Sequence, residues 1–185
     1  MHLLQPETPL ELELLSTLEF KEGLHWGVPR RGHPEGMVLL HVAEVLDNLQ
    51  AMDLSSKDRE RLRLVAICHD TFKYKEELLA YERHQQHHGI LAADFIAQYV
   101  VDEVVLDLTR WHDEAYYAWR MTLMNMHEDA SNRFAQLHER LQPHWTLYEA
   151  FFQADTLTGD KNPEPLKWVA EQVKIRTGSA LAIFQ

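Results

Sequence analysis

The chain has 185 residues and 45% hydrophobic content, enough to bury a core without disulfides or structural metals, and its mean hydropathy of −0.37 is that of an ordinary soluble protein. Eighteen basic residues against 29 acidic ones leave a formal net charge of −11, the reverse of the basic footprint of nucleic-acid binders, so binding to tRNA or duplex is not expected. The lone cysteine excludes an intramolecular disulfide, no apolar run approaches the ~20 residues of a membrane span, and the N-terminus lacks a signal-peptide pattern; a cytoplasmic protein is expected.

In chain order, Thr8-Pro9-Leu10-Glu11 predicts a helix start, with Thr8 as cap, Pro9 at the first position and Glu11 returning the capping bond, and the helix is expected to run to about Phe20. Lys21 to Pro34, rich in Gly, Pro and Arg, reads as a loop. A helix from about Glu35 to Met52 carries Val38, Val42, Val45 and Leu49 at spacings of three and four, with His41 flanking that stripe. Ser55-Ser56-Lys57-Asp58 caps the next, which places Leu62, Val65, Ala66 and His69 on one face and ends near His69–Asp70. A short helical turn over Glu76 to Tyr81 precedes a histidine-rich loop, His84 to His88; Gly89 then opens the helix of Leu91, Phe95 and Ile96, and another runs from about Asp102 to Trp111. Ala115 to Met124 and Ser131 to Leu141 read as helices, Thr146 as the cap of a strongly apolar one, and Pro163-Glu164-Pro165 as the start of a last helix that stops at Gly178. No alternating strand and no repeat stands out, so the expectation is an all-α bundle in one domain spanning 1–185.

The run Leu64-Val65-Ala66-Ile67-Cys68-His69-Asp70-Thr71-Phe72-Lys73 ends an apolar helix in two adjacent metal-ligand types. Charge at a buried helix end is costly unless neutralised, and a cation is the direct neutraliser. Matching ligands stand at His41, at His87/His88 and His112, and at Asp155, which shares the apolar face of Phe151 and Phe152. Of the twelve histidines, His2, His25, His127, His138 and His144 are set aside as surface or packing residues. Cys68 faces away from His69 as a small core residue.

The order H…HD…D in helical context resembles the HD superfamily of metal-dependent phosphohydrolases. Leu24-His25-Trp26-Gly27-Val28-Pro29, then His33-Pro34-Glu35-Gly36 and His41, is similar to the entry to the HD domain of bacterial tRNA nucleotidyltransferases. His69-Asp70-Thr71-Phe72-Lys73 resembles that family's His-Asp-x-x-Lys, as His87-His88-Gly89, Trp111-His112-Asp113 and Phe151-Phe152-Gln153-Ala154-Asp155 resemble its later elements. The likeness spans about His25 to Lys161. No nucleotidyltransferase segment precedes it and no basic tail follows, so the resemblance implies the phosphohydrolase module and not nucleotide addition.

It also implies His41, His69, Asp70 and Asp155 as ligands of a first ion. His88 and His112 either hold a second ion, with Asp70 bridging, or contact the substrate phosphate, where one of them could protonate the leaving group; His87 is an alternative to His88, although Gly89 after His88 suits a close backbone approach. An all-nitrogen-and-oxygen set suits Mn, Fe, Co, Ni, Zn or Mg. Lys73 and the loop residues Arg30, Arg31 and His33 would offset charge on a small phosphate ester such as a nucleotide, and Trp111, Tyr116, Tyr117 and Trp119 read first as core, with a base-stacking wall as the alternative. Two other readings compete: a di-iron HD oxygenase of the myo-inositol oxygenase type, built on the same four histidines and two aspartates, and a degenerate HD module that binds or regulates without turnover. The oligomeric state is not legible from the sequence.

Overall fold

The computed structural model describes residues 3–81 and 86–178; His2 and the expected loop residue His84 lie outside them. The first helix, α1 (Pro9–Ser16), starts as expected: the Glu11 N–H donates to Thr8 Oγ1 (3.1 Å), while the Glu11 carboxylate accepts the Glu7 N–H (2.8 Å), one residue ahead of a reciprocal capping box. The expected continuation to Phe20 is interrupted. Thr17 is extended (φ −67°, ψ 156°); its N–H closes α1 on Leu14 O, and its hydroxyl caps α2 (Leu18–Leu24) by accepting from the Phe20 N–H. Breaking the helix there lets Leu14, Leu15 and Phe20 all reach the core. Lys21 to Leu24 are therefore helical, and the loop expected over Lys21 to Pro34 falls later, between α2 and α3 (Val38–Gln50).

Ser55 caps α4 (Ser56–Cys68) as read from the sequence. Then follow α5 (Lys73–Tyr81), α6 (His88–Ile96), α7 (Glu103–Trp111), α8 (Glu114–Thr122) and α9 (His127–Leu141). A 3-10 turn at Gln142–His144 leads directly into α10 (Trp145–Thr156), so Thr146 lies inside the helix and caps nothing; Pro143 in that turn sets the entry instead. The last helix, α11 (Glu164–Thr177), stops at Gly178, whose φ of 70° takes the left-handed conformation of a helix terminator. The described residues contain no β-strand, only an isolated antiparallel bridge between Arg30 and His33. The expected all-α class is what the fold shows.

Helix α4 lies at the middle, packed against α3, α6, α7 and α10, and is buried on every side from Leu62 to Cys68. The charged member of that run, Arg63, reaches the inner side of α1, where its guanidinium donates to both oxygens of fully buried Glu11 (3.0 and 2.9 Å) and to Gln5 O (3.1 Å), with Glu7 3.1 Å away. Removing one partner of a buried pair leaves an uncompensated charge. Glu11→Ala is expected to cost about 3 kcal/mol in urea unfolding, and Glu11→Met with Arg63→Met to recover part of it. A loss below about 1 kcal/mol would show that Glu7 and the N-terminal carbonyls already satisfy Arg63.

Candidate metal centre

Because α4 is buried from Leu62 onward, its C-terminal end opens inside the molecule. His69 caps it, and a tight turn (Thr71 N–H to Cys68 O, Lys73 N–H to Asp70 O) hands the chain to α5. Adjacent side chains on a regular helix diverge by about 100°, but this turn brings His69 and Asp70 to bear on one region. The turn is packed from behind by α2 so closely that a Cβ on Gly23 would lie 1.8 Å from Thr71 O. His41 arrives from the buried stripe of α3, His88 from the first turn of α6, His112 from the end of α7, and Asp155 from the last turn of α10.

The Asp70 carboxylate divides these residues into two groups. Oδ2 lies 3.6 Å from His41 Nε2 and 3.6 Å from His69 Nε2; Asp155 Oδ1 closes that side at 2.9 Å from His41 and 3.8 Å from His69. Oδ1 lies 3.2 Å from His88 Nε2 and 3.5 Å from His112 Nε2, and Asp113 Oδ2 stands 3.5 Å from each of those histidines. His41, His69, Asp70, His88 and His112 are all buried. Both groups, His41 with His69 and Asp70, and Asp70 with His88 and His112, have ligand atoms close enough to hold one ion.

The donor chemistry fits a cation. His69 Nδ1 donates to Ala66 O (2.9 Å) and His112 Nδ1 to Thr109 O (2.8 Å), which leaves each Nε2 with only a lone pair, beside carboxylate oxygens and, nearer still, the Nε2 of His41 (3.2 Å) and of His88 (3.1 Å) respectively. A lone pair facing a carboxylate in a buried space has no hydrogen to share; a positive ion between them satisfies both. Burial holds the His69 pKa down near 3, so that imidazole stays neutral and ligand-competent. Burial opposes charge on His88, but Asp70 and Glu76, the latter 2.5 Å from Nδ1, outweigh it and raise its pKa to about 9. Lys73 Nζ, 2.5 Å from Asp70 Oδ2, holds that carboxyl well below the usual range against the effect of burial, and Lys161, 2.8 Å from Asp155 Oδ1, does the same there.

Several expectations are refined here. His87 is not an equivalent of His88: its Nδ1 accepts the Gly89 N–H as the cap of α6, so its remaining N–H points toward Tyr117 and Asp113 and not toward Asp70. Gly89 does permit a close approach, since a Cβ there would lie 2.9 Å from the Thr109 and Arg110 carbonyls and 3.1 Å from His112 Cε1. His33 adds little positive charge; burial first, then Lys161, lowers its pKa, and its Nδ1 is held on Glu35 (2.9 Å). The buried thiol of Cys68 is pushed up by desolvation and belongs to the core. His25, His127, His138 and His144 take no part in the groups described.

Lys73, Arg30, Arg31 and His33 line a cleft of about 790 Å³ that reaches Asp70, His88 and Asp155. Tyr116, Tyr117 and Trp119 line it too, on the side of α8, so the core reading fails for those three; Trp111 alone packs against the core, with the Arg140 guanidinium over its ring at 4.5 Å. The sequence reading gave no role to Asp113, Glu76 or Lys161. For Asp113 a signal was present: His112-Asp113 repeats the His69-Asp70 pairing at a second helix end. Glu76 and Lys161 carry none, because nothing local tells a solvated charge from one folded against a distant histidine or aspartate.

The fold is an all-α bundle that gathers histidines and aspartates from several helices around one cleft, in groups with the spacing to hold a metal ion. A family model for the HD domain matches residues 38–144, more than half of the chain, and the chain belongs to the HD domain family. Members of that family are generally metal-dependent hydrolases. The matched span holds His41, His69, Asp70, His88 and His112; Asp155 lies beyond it. No curated protein and no solved structure matches the chain.

Proposed function

We propose that the chain is a divalent-metal-dependent phosphohydrolase acting on a small phosphate ester, a nucleotide in particular. His41, His69, Asp70 and Asp155 would hold a first ion, and Asp70, His88 and His112 a second. The observation that carries this reading is the division of the Asp70 carboxylate, with one oxygen toward His41 and His69 and the other toward His88 and His112. Mn, Fe, Co, Ni, Zn and Mg all suit the donor set. Bound there, a divalent cation supplies Lewis acidity for a phosphoryl oxygen and lowers the pKa of an attacking water toward neutrality. The protein's part is charge and position. Lys73 and the Arg30–Arg31 corner offset the phosphoryl charge, the His69 and His112 N–H bonds to backbone carbonyls keep the inner nitrogens unprotonated, and Asp113 orients His87 at the rim.

A nucleotide is favoured by the cleft lining: Trp26, Tyr116, Tyr117 and Trp119 offer rings on which a base can stack, while the volume exceeds what a bare phosphate needs. The motif likeness to the HD domain of bacterial tRNA nucleotidyltransferases agrees with this class of substrate. The net charge of −11 supports a small anion over a nucleic acid, and a reducing, cytoplasmic setting accords with the reduced, buried Cys68. A second reading, a di-iron oxygenase, draws on the same four histidines and two aspartates.

The test is metal analysis of purified protein, followed by a phosphoester panel under Mn, Co, Ni and Mg. Turnover of nucleotides with one tight and one weaker metal site is expected, because two ions that share Asp70 repel one another. His112→Ala is expected to lower the stoichiometry from two toward one. Unchanged stoichiometry with turnover lost through substrate binding would make His112 a phosphate contact, and two iron ions with oxygen consumption and no phosphate release would favour the oxygenase.

A further inference from the structure

The cleft holds a second lysine that the reading above leaves without a task. Lys161 stands in the loop between α10 and α11, lines the cleft, and is 18% exposed. Its ammonium donates to Asp155 Oδ1 (2.8 Å) and to the Asp155 carbonyl (3.0 Å). The loop is pinned where it stands: the Gly159 N–H donates to Glu44 (2.7 Å), the Gly32 N–H to Asp160 (2.8 Å), and the Thr158 hydroxyl to Asp155 O (2.7 Å). The positive charge is therefore fixed to one wall of the cleft, beside the corner that carries Arg30 and Arg31.

The same Asp155 oxygen that holds Lys161 lies 2.9 Å from His41 Nε2, on the side of the first metal position. One carboxylate oxygen cannot neutralise a divalent cation and an ammonium equally, and the two cations repel. Lys73 stands in the same relation to Asp70 Oδ2, at 2.5 Å. Each carboxylate of the first position thus carries a lysine that an ion would displace, and each lysine already faces the space where an anion would enter.

We propose that Lys161 is a phosphate-binding residue, which exchanges Asp155 for the substrate's phosphoryl oxygens once a divalent cation occupies the position bounded by His41, His69, Asp70 and Asp155. The inference rests on the metal reading above. It makes affinity for the phosphate group conditional on metal, because without metal the lysine is already paired.

The experiment titrates the metal-free full chain with Mn²⁺ by calorimetry, then the Mn-loaded protein with inorganic phosphate, for the wild type, Lys161→Met and Lys161→Arg. Lys161→Met is expected to bind Mn²⁺ at least as tightly as the wild type, since an internal competitor is gone. Its phosphate affinity should fall about tenfold or more, with Lys161→Arg recovering most of it. A second readout needs no variant: labelling of wild-type Lys161 by an amine-reactive ester, followed by peptide mass spectrometry, should quicken on Mn²⁺ loading and slow again with phosphate. Weaker Mn²⁺ binding by Lys161→Met would make Lys161 a brace for Asp155 and overturn the proposal. Unchanged phosphate affinity in the loaded variant, or labelling indifferent to metal, would overturn it as well. A wild-type chain that binds no Mn²⁺ would instead defeat the metal reading itself, and is recognised at the first titration.

Discussion

Asp70→Ala is expected to abolish metal binding at both proposed positions and to lower phosphohydrolase turnover by on the order of a thousandfold or more, since in the proposed mechanism both ions, and the water they would acidify, depend on this one carboxylate. Among the described residues no other carboxylate lies against both histidine pairs. The helical circular dichroism should remain close to wild type, because the apolar core from Leu4 to Val173 is made of side chains other than these histidines and aspartates. Loss of Asp70 also strips Lys73 of its partner at 2.5 Å, but Lys73 is one-fifth exposed and can turn into the cleft. Asp70→Asn, which preserves shape, should behave like Asp70→Ala in metal content. Full turnover with metal stoichiometrically lost would sink the mechanism.

Gly23→Ala is expected to be the most disruptive single methyl in the molecule. The added carbon would lie 1.8 Å from the Thr71 carbonyl oxygen and 2.8 Å from the Thr71 side chain, distances that real atoms do not tolerate. Relief requires α2 to withdraw from the turn after α4, which opens the packing around Phe20 and Phe72, both buried and in edge contact. A cost of about 3 kcal/mol in chemical denaturation is expected, the upper part of the overpacking range. The same displacement moves the turn that aims His69 and Asp70, so metal affinity should fall even under conditions where the variant is folded. Gly89→Ala is the contrast. Its contacts of 2.9 to 3.1 Å at Thr109, Arg110 and His112 ask for a smaller shift, and that shift falls on the His88–His112 side. Equal metal binding by Gly23→Ala and wild type, at matched folded fraction, would show that the turn is not held by α2.

The helices and most of the residues that cluster at the site were legible in the chain because both rest on local rules. Apolar spacing of three and four placed α3 with His41 on its flank, and Ser55 marked the start of α4 as a cap. Where two local signals compete, the reading slipped. Thr17 is a sound cap inside an unbroken apolar pattern, and only the burial of Leu14, Leu15 and Phe20 together favours a break there. Thr146 reads equally well as a cap, yet the Pro143 turn enters the helix ahead of it. The aromatics of α8 follow helical spacing like a core face, and the tertiary arrangement turns all three to the cleft.

Sequence alone determined the all-α class and the ordered series His41, His69, Asp70, His88, His112 and Asp155, because residue type, spacing and helical context are properties of neighbouring residues. Tertiary structure alone decided how Asp70 is divided, why His88 and not His87 turns inward, and that Asp113, Glu76 and Lys161 belong to the same site. Those outcomes depend on which helix ends meet around α4. The distances involved, 12 residues from Glu76 to His88 and 114 from His41 to Asp155, are closed only by packing, and no local preference encodes them.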